Sequence, residues 1–179
     1  HPLAKLEVTY SFYTNLLARL KLLLRNGGIG LVLVILALGL FLNFRLSFWV
    51  AIGIPASFLG MFVFGNIYDI TINMISLFGM ILVIGILVDD GIVIGENIFS
   101  KFEKGLSPKK AAIEGTMEVL PAVATSVTTT IIAFSPLFFI EGRMEMMYDV
   151  AFVVIFALAI SLLEAFFVLP AHLGNKWVL

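Results

Sequence analysis

Two adjacent carboxylates, Asp89 and Asp90, sit inside a stretch that is otherwise mostly apolar from Ile70 to Phe99. A charged side chain at the centre of a bilayer costs about 2.5 to 3.5 kcal/mol on insertion scales, so a pair there demands a chemical reason. The plain alternative is a solvated helix end, which requires the apolar segment to stop at Asp89. It does not stop. Gly91 to Ile94, then Ile98 and Phe99, continue the pattern, and a window of about 20 residues from Met80 to Phe99 centres on the pair. Two neighbouring carboxyls in a low dielectric titrate as a coupled pair that retains a proton at working pH, so a proton is the natural ligand. One charge carried through the whole membrane potential is worth about 2.3 kcal/mol per 100 mV, enough to bias a conformational equilibrium coupled to its binding.

The surroundings read as a packed polar site. Gly85, Gly91 and Gly95 remove bulk, and Gly91-Ile-Val-Ile-Gly95 has the GxxxG spacing that lets helices approach closely. Residues 85, 89, 93 and 96 fall near one helix face, which sets Glu96 about two turns from Asp89, with Asn97 related similarly to Asp90. Glu96 and Asn97 fit an interfacial helix end as readily as a supporting polar role. Glu164 is a candidate second relay acid, although five residues before Leu169 it is better read as snorkelling to the interface. The hydroxyls of Thr125 to Thr130 can bond to carbonyls a turn earlier and read as structural, and His172 reads as interfacial rather than as a ligand. An intramembrane aspartyl protease needs two carboxyls converging on one water, whereas consecutive helix residues point about 100 degrees apart. Enzymatic chemistry is not expected. With no cysteine in the chain, disulfides, thiol catalysis and Cys-ligated metals are excluded, and neither metal nor cofactor is called for.

The elements that position these groups follow from composition. Of 179 residues, 61% are hydrophobic and 13% charged, which excludes a soluble enzyme, a disordered segment and a secreted disulfide scaffold. No basic face argues for nucleic acid. The fold class is all-α, a polytopic helical bundle with five transmembrane helices and an N-terminal interfacial amphipathic helix. Residues 1–28 form that amphipathic segment, in which Leu16, Leu20, Leu23 and Leu24 share a face and Gly27-Gly28 end or bend the helix. The bundle occupies 29–170, with spans at about 29–42, 46–65, 70–99, 119–140 and 147–169 and a cytoplasmic loop helix at 108–117 that opens on Ser107-Pro108. Residues 171–179 are a cytoplasmic tail. A first residue other than Met, with no leader pattern behind it, reads as a processed or excised piece.

Positive charge in short loops favours the cytoplasm. Arg45, Lys101, Lys104, Lys109, Lys110 and Lys176 share one side, against Arg143 in the turns of the other. The 101–118 loop and the C-terminus are therefore expected inside. The basic N-terminal segment, with Lys5, Arg19, Lys21 and Arg25, is the exception, explained if a large translocated domain precedes it. Trp49, Tyr68, Tyr148 and Trp177 fall at span ends as an aromatic belt. No lysine or arginine falls inside a span, so the intramembrane acids lack a cationic partner in this chain.

Gly85-Ile-Leu-Val-Asp-Asp-Gly-Ile-Val-Ile-Gly-Glu-Asn97 resembles the fourth transmembrane helix of resistance-nodulation-division (RND) efflux transporters, whose pattern is G-[IL]-x-V-D-D-A-I-V-V-x-E-N. Phe41-Leu-Asn-Phe-Arg45, Ile52-Gly-Ile-Pro55, Ile72-Asn-Met-Ile-Ser-Leu-Phe-Gly79, Pro136-Leu-Phe-Phe and Leu169-Pro-Ala-His-Leu173 match in the family's order, and the variants look closest to its hydrophobe and amphiphile efflux branch. The resemblance implies that the spans are the family's second to sixth, in the N-terminal half of a twelve-helix transporter with two parallel repeats. It implies proton-relay roles for Asp89 and Asp90 in a drug/proton antiporter of the bacterial inner membrane. It further implies partners outside this chain: a first helix, a periplasmic porter domain, a second repeat that supplies a relay lysine, two further copies completing a trimer, a periplasmic adaptor and an outer-membrane channel. Gly91 stands where alanine is usual in the family, and Glu164 where several multidrug members carry an apolar residue.

The expected function is thus the proton-coupling transmembrane part of an RND-type exporter of hydrophobic or amphiphilic compounds, not expected to transport when isolated. The rivals are a structural or assembly bundle that transports nothing, and a passive ion pathway.

Overall fold

A computed structural model of the chain describes residues 12–41, 44–140, 146–175 and 178. Lys5, Asn43, Arg143, Lys176 and Trp177 lie outside the described residues, as do all other residues before Phe12 and part of the tail. Among the described residues six α-helices follow in order: α1 Phe12–Phe41, α2 Phe44–Ile67, α3 Met74–Glu103, α4 Pro108–Phe134, α5 Met147–Leu163 and α6 Leu169–Leu173. A 3-10 turn over Ser135–Phe139 extends α4, and a π-helical segment over Glu164–Val168 joins α5 to α6. The fold is an all-α helical bundle, and no strand occurs among the described residues. Four helices there are long and apolar enough to cross a membrane: Arg45–Ile67, Met74–Glu103, Pro108–Phe139 and Met147–Leu173. The remaining expected span, 29–42, forms the second half of α1, and its residue 42 lies outside the described residues.

Several expected boundaries move. The amphipathic segment does not end at Gly27-Gly28, because α1 runs through both. A glycine costs a helix only about 1 kcal/mol, and an apolar segment has no other way to satisfy its amides in lipid. Leu16, Leu20 and Leu23 pack on the core, but Leu24 is exposed. The 108–117 helix is not separate, since it forms the first turns of α4, which passes through Pro121 without interruption. The third span starts at Met74 rather than Ile70 because Asn73 caps it. The Asn73 side-chain oxygen accepts from the amides of Ile75 and Ser76 at 2.8 and 2.9 Å, and the Ser76 hydroxyl accepts from the Asn73 amide at 2.8 Å. At its other end Gly105, with φ of 92°, takes the left-handed position that lets its amide and that of Leu106 bond back to Phe102 and Lys101.

The core lies along one face of α3. Leu77, Met80, Val83, Leu87, Asp90, Ile94 and Ile98 recur every three or four residues and are buried on the side that packs against α4, α5 and α2. Phe152 on α5 is 1% exposed and stacks on Phe156 at 4.2 Å. Bundle ends are tied by polar contacts. At one, the Asn73 side-chain amide donates to the Asp149 carboxylate, joining the starts of α3 and α5. At the other, Lys101 pairs with Glu118 at 2.7 Å and the Trp49 and His172 rings stack at 3.9 Å.

Candidate functional site

Asp89 and Asp90 are central in α3, which runs for 30 residues from Met74 to Glu103. The helical turn of about 100 degrees per residue separates them. Asp90 falls on the core face, 8% exposed, and its Oδ2 is buried with no hydrogen-bond partner among the described residues. Asp89 falls on the opposite, exposed face with Gly85, Val93 and Glu96. The pair therefore joins an interior carboxyl to one open to whatever covers that face. An orphaned buried oxygen of this kind is costly unless it gains a proton or a partner.

The glycines of this helix divide. A Cβ on Gly95 would lie 2.9 Å from Val50 Cγ2, and one on Gly91 would lie 3.0 Å from Val50 Cγ1, so α2 approaches α3 closely just past the acids. Gly85 is different: nothing lies within 4 Å of where its Cβ would be, and it takes no part in packing among the described residues. Its place on the exposed face of α3 is the reason.

Asn97 and Glu96 also separate. The Asn97 side-chain amide donates to the Gly115 carbonyl at 2.7 Å and to Glu118 Oε2 at 3.1 Å, which fastens α3 to the start of α4. That fastening depends on Gly115, where a Cβ would fall 2.7 Å from the Ile98 Cα. Hydrogen bonds from Lys101 and then from Asn97 hold the Glu118 carboxyl, in the polar first turns of α4, below its ordinary range. Glu96 is exposed.

Glu164 is half-buried, and its carboxyl rests on the backbone of α2 at Gly53. Gly53 stands in the matched stretch Ile52-Gly-Ile-Pro55 with no packing role legible in the sequence, and the π-helical segment has no sign there beyond Glu164 six residues before Pro170. The threonine hydroxyls do bond to earlier carbonyls, Thr125 to Pro121 at 2.6 Å and Thr129 to Thr125 at 2.7 Å. His172 is held by its stack on Trp49.

An acid pair midway along an apolar helix, with close glycine packing beside it, calls for a comparison with known transporters. The profile of the AcrB/AcrD/AcrF family matches residues 5–175. The chain belongs to this family of RND transporters. It is 33% identical over 144 residues to the multidrug export protein AcrF of Escherichia coli strain K12, covering 79% of this chain and 14% of that protein. It is likewise 33% identical over 153 residues to the multidrug resistance protein MdtC of Shigella flexneri, covering 84% of this chain and 15% of that protein. The chain therefore spans 14% to 15% of the length of these relatives. As a family member with several membrane-crossing helices, it is a multi-pass protein of the inner membrane.

Proposed function

We propose that this chain is the proton-coupling transmembrane part of an RND-type drug/proton antiporter, in which Asp89 and Asp90 carry the proton. The observation that bears most weight is Asp90 Oδ2, buried at the middle of α3 without a partner among the described residues. As an anion that oxygen is expensive, and a proton relieves the cost by making the carboxyl a neutral donor. Cycling of the proton would alternately favour two packings of α3 against its neighbours, and a ligand shifts such an equilibrium by its differential affinity for the two. Membership of a family whose relatives include a multidrug export protein supports hydrophobic or amphiphilic compounds as the exported class.

In this reading Glu96, on the exposed face with Asp89, lines the proton's approach, while Gly91 and Gly95 keep α2 close to the acids. The cation that answers the acids comes from a second repeat, as a lysine. A periplasmic porter domain, a trimeric assembly, an adaptor and an outer-membrane channel complete the exporter. The end of the bundle that carries Lys101, Lys104, Lys109 and Lys110 faces the cytoplasm, and the N-terminal segment faces the periplasm.

The test is the D89N/D90N variant in the full-length transporter that carries this chain, followed by drug efflux from cells and by proton flux in proteoliposomes with an entrapped pH dye. Both are expected to fall to the level of empty controls. Undiminished efflux and proton flux would sink the proposal, and voltage-driven current without substrate would favour a passive pathway instead.

A further inference from the structure

Glu164 is a second acid in the apolar part of the bundle, on a different helix from the Asp pair. The apolar helix Met147–Leu173 has its midpoint at Ile160, so Glu164 lies only four residues from the centre. At 1.5 Å per residue that is about 6 Å along the axis, well short of the interface. Its carboxyl is not extended toward the end of the helix. It is turned onto α2, where a Cβ on Gly53 would lie 2.6 Å from Oε2, 2.9 Å from Cδ and 3.1 Å from Oε1. Only glycine leaves this space. Further along α2, Gly60 receives Ile160 in the same way, its Cβ position 2.7 Å from Ile160 Cγ2. Two glycine notches on α2 thus accept two side chains four residues apart, Ile160 on α5 and Glu164 at the start of the π-helical segment.

The backbone is irregular at the same place. The Leu169 amide donates to the Glu164 carbonyl five residues back, making a π-helical turn directly before Pro170, which has no amide hydrogen to give. Single π turns within α-helices recur at functional sites, because they re-aim a side chain at the cost of a regular hydrogen bond. Here the side chain at the start of that turn is the acid.

No hydrogen bond or ion pair joins Glu164 to any described residue. The charged groups on the elements packed against it are engaged or placed elsewhere. On α3, Lys101 pairs with Glu118, Glu103 is at the helix end, and Asp89 and Glu96 are on the outer face. Asp149 bonds to Asn73 at the far end of α5, where Tyr148 packs on Phe138. His172 on α6 stacks on Trp49, and Arg45 opens α2 about 12 Å before Gly53. Asp90 lies at similar depth across α2, because Val50, one turn before Gly53, packs on Gly91 next to it. A half-buried carboxylate set against a glycine backbone, with no cation beside it, is poorly accommodated as an anion. As a neutral acid it fits.

We infer that Glu164 is a second proton-binding carboxyl in this protein, separate from Asp89 and Asp90, and that its proton governs how closely α5 packs on α2 at Gly53. Loss of the proton draws water to the carboxylate and lifts α5 from the Gly53 notch. Regaining it closes the contact. α2 then touches both acid sites, Gly91 through Val50 and Glu164 through Gly53, so each site acts on the same helix.

The test is pH-difference infrared spectroscopy of the full chain in proteoliposomes, reading the carbonyl stretch of protonated carboxylic acid. It is done in the D89N/D90N background, where the Asp pair contributes nothing and export is not needed, so its outcome is independent of the transport proposal. Subtracting the spectrum of the E164Q variant isolates Glu164. The expected result is a protonated-acid band lost on E164Q and falling about tenfold per pH unit above its midpoint. The G53A variant keeps the acid and crowds it, and is expected to shift the midpoint or the band. Superimposable spectra with and without E164Q overturn the proton site, and an unchanged band in G53A overturns its link to helix packing.

Discussion

Asp89 and Asp90 differ by one position and by nearly everything in their surroundings. One is exposed and the other 8% exposed with an orphaned oxygen, because a helix turns adjacent side chains to different faces. The acids and the glycine spacing beside them were legible in the sequence. Which glycines meet a neighbour was not, since that depends on where another helix passes: Gly91 and Gly95 face Val50, while Gly85 faces open space. Gly115 and Gly53 carried no spacing signal at all, yet they sit at the tightest approaches. A residue-scale prediction follows from this division. In G115A the new Cβ would meet the Ile98 backbone at 2.7 Å, where no flexible side chain can yield. Thermal unfolding in detergent should show G115A destabilised by about 1 to 3 kcal/mol, as for overpacked cores. G85A, added into open space, should be neutral or stabilised by up to about 1 kcal/mol through helix propensity. Equal effects of the two would refute the packing argument.

Helix bodies were readable as apolar runs, and helix ends were not, because polar side chains settle the ends locally. Asn73 falls inside the apolar stretch expected from Ile70 and proves to cap the helix that starts after it, while its side-chain amide reaches 76 residues along the chain to Asp149. The expected breaks at Gly27-Gly28 and before residue 119 vanish because membrane helices extend wherever no better partner exists for the backbone. Asn73 thus does two jobs, starting α3 and tying it to α5. Replacement by alanine should cost about 1 kcal/mol for the cap alone. A double-mutant cycle with D149A separates the tie, and a coupling of about 0.5 to 3 kcal/mol is expected for residues in direct contact. Hydrogen exchange at the Ile75 and Ser76 amides should speed up in N73A and stay unchanged in D149A. Exchange that is equal in both variants would assign the two roles wrongly.

Taken as a whole, the bundle has chemically distinct ends. α2 begins, α3 finishes, α4 begins and α6 finishes at one of them, as the Lys101–Glu118 pair, the Trp49–His172 stack and the contact of Gly174 with Lys109 require. Lysines collect there: Lys101, Lys104, Lys109 and Lys110. The opposite end carries Asp69 and the Asn73–Asp149 contact. A lysine-rich end is retained on the cytoplasmic side during insertion, so the charge asymmetry should fix which way the acid pair is entered by protons. The chain's lack of cysteine makes this directly measurable. Single-cysteine variants K104C and K110C replace exposed lysines at one end, and D69C replaces an exposed residue at the other. A membrane-impermeant thiol reagent added to intact spheroplasts should label D69C at once and should reach K104C and K110C only after permeabilisation. The reverse pattern would invert the bundle, and protons entering from outside would then have to reach Asp89 past the α3 end that bears Lys101 and Glu103.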